Sequence, residues 1–372
     1  MKAKHIILTL ACGLTFSSCS DFLTEEPLGK ETPEKAFTSQ ATVDATLVGL
    51  YSSAVATQAW TNMQICEWQG DDITTNPGSN KQACAEIDKF QVSDNNKGVR
   101  DAWRLHYNLI QAANYIIDNA EKTPVAKENI DLAIAQARFW RAYAYYYLVR
   151  VFGPLPINLH NEDDNGSTKL TDVQGVYDLI ISDLEAVDAV NLPTHYTSAP
   201  AQLFGVDVYV TQQAVKSTLA AVYMSMAGYP LNKGQEYYTK AAEKAKEVID
   251  GVNSGKYNAT MDADWRNVYS YGNNYNKETI LGINFSPTKN WSTDSEFSSC
   301  CFFESLGGWG DAWGEIKFWK DFPDGPRKRA VYDPQIRLKD GTLVDWWALD
   351  GSGKPIVAER HPMFSIFTIN AD

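Results

Sequence analysis

The chain has 372 residues, 44% of them apolar and 21% charged, so neither a disulfide-stapled mini-protein nor a wholly disordered chain is indicated. Thirty-three Lys and Arg against 46 Asp and Glu leave a formal charge of −13, which opposes broad contact with a phosphate polyanion and sets nucleic acid aside. Aromatic residues reach 12%, with 11 Trp and 19 Tyr, more rings than a core of this size uses, so some are expected to face a ligand.

Lys2 and Lys4 precede the apolar run Ile6 to Phe16, which is too short for a mature membrane span and is laid out as a secretory signal. Ser17 and Ser18 then lead into Cys19, and Phe16-Ser17-Ser18-Cys19-Ser20-Asp21 resembles a loose bacterial lipobox. The expectation is that residues 1–18 are removed and Cys19 is acylated, palmitate included, because several acyl chains hold a protein to a membrane far better than one. Residues 19–40 are polar and contain Pro27 and Pro33, as an extended tether would. No later run approaches the length of a membrane-spanning helix, so the lipid is the only anchor the sequence shows.

Val43, Leu47, Leu50 and Ala54 recur at helical spacing behind Thr42 and predict the first helix of the folded body. Residues 60–98 lose that period and gather Gly70, Asp71, Asp72, Asn76, Pro77 and Gly78, which predicts a long insertion of loops with a short hairpin. Val99, Trp103, Ile110, Ala113, Ile117 and Ala120 form the next stripe. The helix from Asp131 to Phe152 carries apolar residues on two faces, with Ala137, Trp140, Ala144, Tyr147, Leu148 and Val151 on one and Phe139, Tyr143 and Tyr146 on the other. It must therefore be buried on both sides, and Gly153-Pro154 ends it. Val176, Tyr177, Ile180, Leu184 and Val187 mark a helix closed before Pro193. Residues 211–228 and 235–250 form a helical hairpin about Gly228, Pro230 and Gly234, with stripes Val215, Leu219, Val222, Met226 and Tyr238, Ala241, Ala245, Val248. Such pairs look like stacked tetratricopeptide units, without a clean repeat. Beyond Gly251, Trp residues scattered among Gly, Asn and Ser predict irregular structure with short strands.

Four strings together resemble the SusD/RagB family of outer-membrane nutrient-binding lipoproteins. They are Cys19-Ser-Asp-Phe-Leu-Thr-Glu-Glu-Pro27, the helix from Ala137 to Pro156 with Arg-Phe-Trp-Arg-Ala-Tyr at its start, Val176-Tyr-Asp-Leu-Ile-Ile-Ser-Asp-Leu184, and the run Tyr237 to Asp250. The resemblance implies a mainly α fold, a SusD-like helical body of tetratricopeptide-like pairs with a loop-rich, aromatic-rich face. The organisation expected is a signal peptide at 1–18, a lipidated tether at 19–40 and one SusD-like domain at 41–372, helical to about 250 and irregular over 251–372. Members of the family usually run longer and end in further helices, so a domain incomplete at its C-terminus is expected. The resemblance also implies a SusC-like TonB-dependent transporter as partner, an outer-membrane location facing the exterior, capture rather than catalysis, and no cofactor.

Sugar rings stack on Trp and Tyr through their polarised C–H faces, while amides take the hydroxyls. Trp60, Asn62, Trp68 and Asn76 bring rings near amides, as do Asn290 and Trp291, and the glycine-rich string Gly307 to Gly314 is expected to display Trp309 and Trp313. These are the candidate ligand contacts. Asn161 to Gly166 with Asp172 partly fits a calcium loop but lacks its first Asp and its bidentate Glu, so a turn capping the next helix through Thr171 or Asp172 reads better. Asp71 and Asp72 are adjacent and cannot face each other across a glycosidic bond. The histidines show no ligand spacing, and no metal or catalytic residue is expected. Cys66, Cys84, Cys300 and Cys301 fit either a Cys66–Cys84 bridge or buried thiols.

The function expected is capture of oligosaccharide or polysaccharide fragments at the cell surface for a TonB-dependent transporter. A surface-anchored glycoside hydrolase, a binder of peptide or glycoprotein, and a helical-repeat scaffold are the alternatives that the sequence leaves open.

Overall fold

The computed structural model describes residues 37–58, 70–161, 169–203, 205–264, 267–268, 273, 276–283 and 297–365; Cys19 and the leader lie outside them. In chain order the first elements are α1 (Gln40–Ala56), β1 (Ile73–Thr75), α2 (Gln82–Asp88), α3 (Lys97–Asn119), α4 (Lys127–Phe152) and α5 (Val173–Val190). Then come β2 (Gln202–Leu203), β3 (Val206–Asp207), α6 (Gln212–Ala227), α7 (Gln235–Asn253), α8 (Phe297–Cys301), β4 (Ala312–Gly314), α9 (Ile316–Asp321), α10 (Pro326–Val331), β5 (Ile336–Arg337) and β6 (Leu343–Val344). The fold is mainly α, as the sequence predicts.

Each long helix packs on the next, α3 on α4, α4 on α5, α5 on α6 and α6 on α7, while α1 lies across α3 and α4. Ser39 starts α1 by a reciprocal cap, in which the Thr42 hydroxyl accepts from the Ser39 N–H at 3.0 Å, and Val43, Leu47, Leu50 and Ala54 are all buried. Phe37 already belongs to the core and lies 5.5 Å from the Tyr115 ring. The central helix is α4. Its alanines 133, 135, 137, 142 and 144 are buried and let neighbours approach, while Phe139, Trp140 and Tyr145 fill the remaining space on both faces. Gly153 stops it at φ +75°, a conformation an L side chain resists.

Two polar knots hold this helix to its neighbours. Arg141 gives a two-pronged contact to Asp183 on α5, with Nε and Nη2 each 2.8 Å from a carboxylate oxygen. Its Nη1 donates to Asn114 Oδ1 on α3 at 2.9 Å and to the Leu159 carbonyl at 3.3 Å. Gln136 accepts from the Tyr51 hydroxyl at 2.6 Å and from the Val210 N–H at 2.9 Å, and donates to the Val210 carbonyl at 3.1 Å. Every buried polar atom named here has a partner, which removes the penalty of desolvating it alone.

His106 on α3 is fully buried, donates from Nδ1 to the Ala102 carbonyl at 2.7 Å and stacks on Tyr147 at 3.9 Å between centroids. Burial, opposed only by that hydrogen bond and reinforced by Arg150, pushes its pKa down to about 4. The unfolded chain therefore binds the proton more readily, so the contribution is intact above about pH 6.5, declines as pH falls, and is gone near pH 4, a loss of roughly 3 kcal/mol. Replacing His106 with Phe should flatten the acid limb of stability over that window, read by denaturant titration at several pH values.

Three expectations are corrected. The segment after residue 70 does not form a local hairpin: β1 pairs antiparallel with the distant β4, Thr74 opposite Trp313. It also contains α2, whose Cys84, Ala85 and Ile87 are buried and whose shortness hides any helical period. On α7 the inward ring is Tyr237, 6.1 Å from Tyr223, whereas Tyr238 is exposed.

Residues 297–365 build two small cores of their own. In one, Cys84 meets Cys300, Cys301, Ala312, Tyr332 and Phe364, so α2 and β1 staple the helical body to the later chain. In the other, Phe302, Phe303, Ile336, Trp346, Val357 and Met363 pack together.

Candidate functional site

The second of these cores supports an open groove of about 640 Å³. Its floor begins with α9, where the Glu315 carboxylate caps the helix by accepting from the Lys317 N–H at 3.0 Å and so presents Trp319 and Lys320 on the next turn. The β5–β6 pair, with Ile336 opposite Val344, then delivers Trp346 and Trp347. A return loop adds Arg360 and His361 to the lining. That loop is held by Asp350, whose Oδ1 accepts from the Ser352 N–H at 2.8 Å and the Lys354 N–H at 2.9 Å.

The three tryptophans touch one another. Trp319 and Trp346 meet edge to face at 5.4 Å and 87°, Trp346 and Trp347 at 5.0 Å and 89°, and Trp319 and Trp347 at 5.6 Å and 50°. Trp346 is 7% exposed and sits in the core beneath, whereas Trp347 is 44% exposed and offers its indole to solvent. An exposed ring braced by two others is rigid, so a ligand stacking on it pays little ordering entropy. His361 is fixed behind the groove by stacking on Trp313 at 4.9 Å and 23°. Burial lowers its pKa below the usual histidine value, against the opposing pull of the Gly314 carbonyl and of Glu315 and Glu359. No carboxylate is among the described lining residues.

Of the residues singled out in the sequence, Trp313 belongs to β4 and backs this wall through His361. The glycine-rich turn before it needs left-handed backbone at Gly307 (φ +112°) and Gly310 (φ +59°), and it turns Trp309 onto the cysteine core. Asn76 donates to the Gly310 carbonyl and accepts from the Gly78 N–H, both at 2.9 Å, so both ends of its amide hold the backbone. Trp60, Asn62, Trp68, Asn290 and Trp291 lie outside the described residues. Trp319, Trp346, Trp347, Lys320 and Arg360 were not singled out. The adjacent pair Trp346-Trp347 carried a usable signal, because two neighbouring indoles cannot both enter one small core.

The other sequence motifs resolve structurally. Asp172 caps α5 by accepting from the Gly175 N–H at 2.8 Å; residues 162–168 of the calcium-like string lie outside the described residues. Cys300 and Cys301 are buried, and Cys84 is a buried thiol beside them; Cys66 lies outside the described residues. Burial and the nearby Asp311 carboxylate push the Cys84 and Cys301 thiols up to about 12 and Cys300 higher still, so they are protonated at neutral pH and are packing groups rather than nucleophiles.

A family model described as "Starch-binding associating with outer membrane", the SusD-like group, matches residues 21–224. A SusD-like protein of Bacteroides ovatus is 27% identical across 96% of this chain and 65% of its own length. Among solved structures, a SusD homologue of Bacteroides thetaiotaomicron aligns with a TM-score of 0.70 at 19% identity, covering 86% of this chain and 62% of that one. Another, solved with a xylogluco-oligosaccharide, aligns with a TM-score of 0.64 at 23% identity, covering 82% of this chain and 61% of that one. The chain spans between half and about two thirds of the length of the curated relatives it matches. With more than half its residues inside the family match and its helical body shared with the solved structures, the chain belongs to the SusD-like family of starch-binding proteins that associate with the outer membrane.

Proposed function

We propose that this protein is a cell-surface lipoprotein, acylated at Cys19 and extended on a short tether, that captures oligosaccharide or polysaccharide fragments and passes them to a SusC-type TonB-dependent transporter. The observation that carries the reading is the tryptophan groove: one exposed indole braced by two others, beside polar side chains that reach sugar hydroxyls. The family's description as starch-binding and outer-membrane-associated supports it, as does the xylogluco-oligosaccharide held by a protein of the same fold. No bond is broken. The ligand is gripped by stacking and a few hydrogen bonds, with much of it left in water, so affinity is modest and release is fast. The single domain read from the sequence as residues 41–372 is part of the same proposal, with its start moved back to Phe37, which is buried in the core.

Titration calorimetry of the purified protein against a panel of oligosaccharides should give saturable binding to at least one class, with no increase in reducing ends after prolonged incubation. Steady release of reducing ends, or failure of every glycan to bind while peptides do, would overturn the reading. Labelled palmitate should enter the full-length protein and fail to enter a Cys19→Ala variant.

A further inference from the structure

We infer that the groove selects an anionic sugar, one that carries a carboxylate or sulfate on the ring stacked against Trp347. The inference deepens the proposed glycan capture and rests on it. Among the described residues, the charged side chains lining the groove are Lys320 and Arg360, and both are exposed. Neither is ion-paired with an acid among the described residues, unlike Lys317, which bridges to Asp321, and Lys328, which pairs with Asp324. Two carboxylates near this wall form no ion pair with either cation: Glu359 accepts from the Ser305 N–H and hydroxyl at 2.9 and 2.7 Å, and Glu315 caps α9.

This segment is less acidic than the chain as a whole. Residues 315–360 hold nine Lys and Arg and eight Asp and Glu, a balance of +1, whereas the whole chain stands at −13. A polyanionic glycan is therefore repelled less by this segment than by the acidic body as a whole, and the two lining cations offer it a local contact.

The chemistry at the rim fits. A uronate carries its carboxylate, and a sulfated sugar its sulfate, at the periphery of the pyranose. A ring laid on an indole therefore projects the anion sideways, where Lys320 and Arg360, which both line the groove, can meet it. The guanidinium fork matches the paired oxygens of either group, and an ammonium supplies a second, less directional charge. Arg360 is also held at φ +54°, a left-handed conformation costly for a residue with a Cβ, so the fold maintains it there at the expense of stability.

The test uses titration calorimetry with four probes: tetragalacturonate, its neutral methyl ester, a carrageenan-type sulfated tetrasaccharide and a neutral xylogluco-oligosaccharide. At least one anionic probe should bind about tenfold or more tighter than the neutral ones, and that preference should shrink as salt rises from about 50 to 500 mM. Tight binding of the uronate alone, of the sulfated sugar alone, or of both identifies which anion is read. Lys320→Gln and Arg360→Gln should each weaken the anionic probe about five- to tenfold more than they weaken the neutral probes. Arg360→Gly keeps the test clean of misfolding: it relieves the left-handed residue, so the melting temperature should hold or rise while the anion preference is lost. Equal affinity for acid and ester, or equal weakening of both by the variants, would overturn the inference and leave glycan capture standing. Absence of binding by every probe and by a broader glycan panel would overturn both.

Discussion

Asp183→Ala should destabilise the protein by about 3–5 kcal/mol, the range for breaking one side of a buried ion pair. The Arg141 side chain is 7% exposed and that of Asp183 2%, and the guanidinium meets the carboxylate through two bonds of 2.8 Å. Removing the carboxylate leaves a desolvated cation with only the Asn114 amide and the Leu159 carbonyl as neutral acceptors. Arg138, whose Nη1 is 3.8 Å from the same carboxylate, is 36% exposed and can turn to water, so the penalty falls on Arg141. The double replacement Arg141→Met with Asp183→Leu should recover most of the loss, because it removes both charges together and keeps the volume. Urea titration of the three variants checks this. If the single variant costs under about 1 kcal/mol, the pair is no more than a surface-like contact and α3, α4 and α5 are held by their apolar contacts alone.

That pair also marks the limit of what a single sequence reveals. The long helices could be read because each buries a stripe at helical spacing, and their ends because Gly153-Pro154 and the breakers between α6 and α7 act locally. The two-sided burial of α4 followed from counting faces. Its partners did not: Arg141 and Asp183 lie 42 residues apart, and no spacing rule joins them. The same holds for β1 and β4, whose pairing depends on where the irregular chain returns. On α7 the stripe alone allowed either Tyr237 or Tyr238 inward, and packing against Tyr223 decided it. At the groove the sequence offered many indoles in a glycine- and asparagine-rich context. Choosing among them required the fold, which sends Trp309 into the cysteine core, uses Trp313 as a strut and gathers Trp319, Trp346 and Trp347 from two separate segments.

Because the two adjacent indoles divide their labour, their replacement should separate binding from stability. Trp347→Ala removes a half-exposed ring and should cost about 1–2 kcal/mol of stability, less than a fully buried ring, since 44% of its surface stays in water in the folded chain. The same change should weaken oligosaccharide binding by about 5- to 150-fold, because the stacking face disappears and one good ring stack is worth roughly 1–3 kcal/mol. Trp346→Ala should do the reverse in the first instance. It empties a buried site among Phe303, Ile336, Val357 and Met363 and should cost about 3–5 kcal/mol of stability. Its effect on binding then arises through Trp347, which loses its edge-to-face brace, and should be reduced by Trp346→Phe, which restores part of the volume and a ring. Calorimetric titration alongside urea denaturation reads both quantities on the same preparations. Should Trp347→Ala bind glycan as tightly as the original protein, the groove is not where sugar is held, however stable the variant proves.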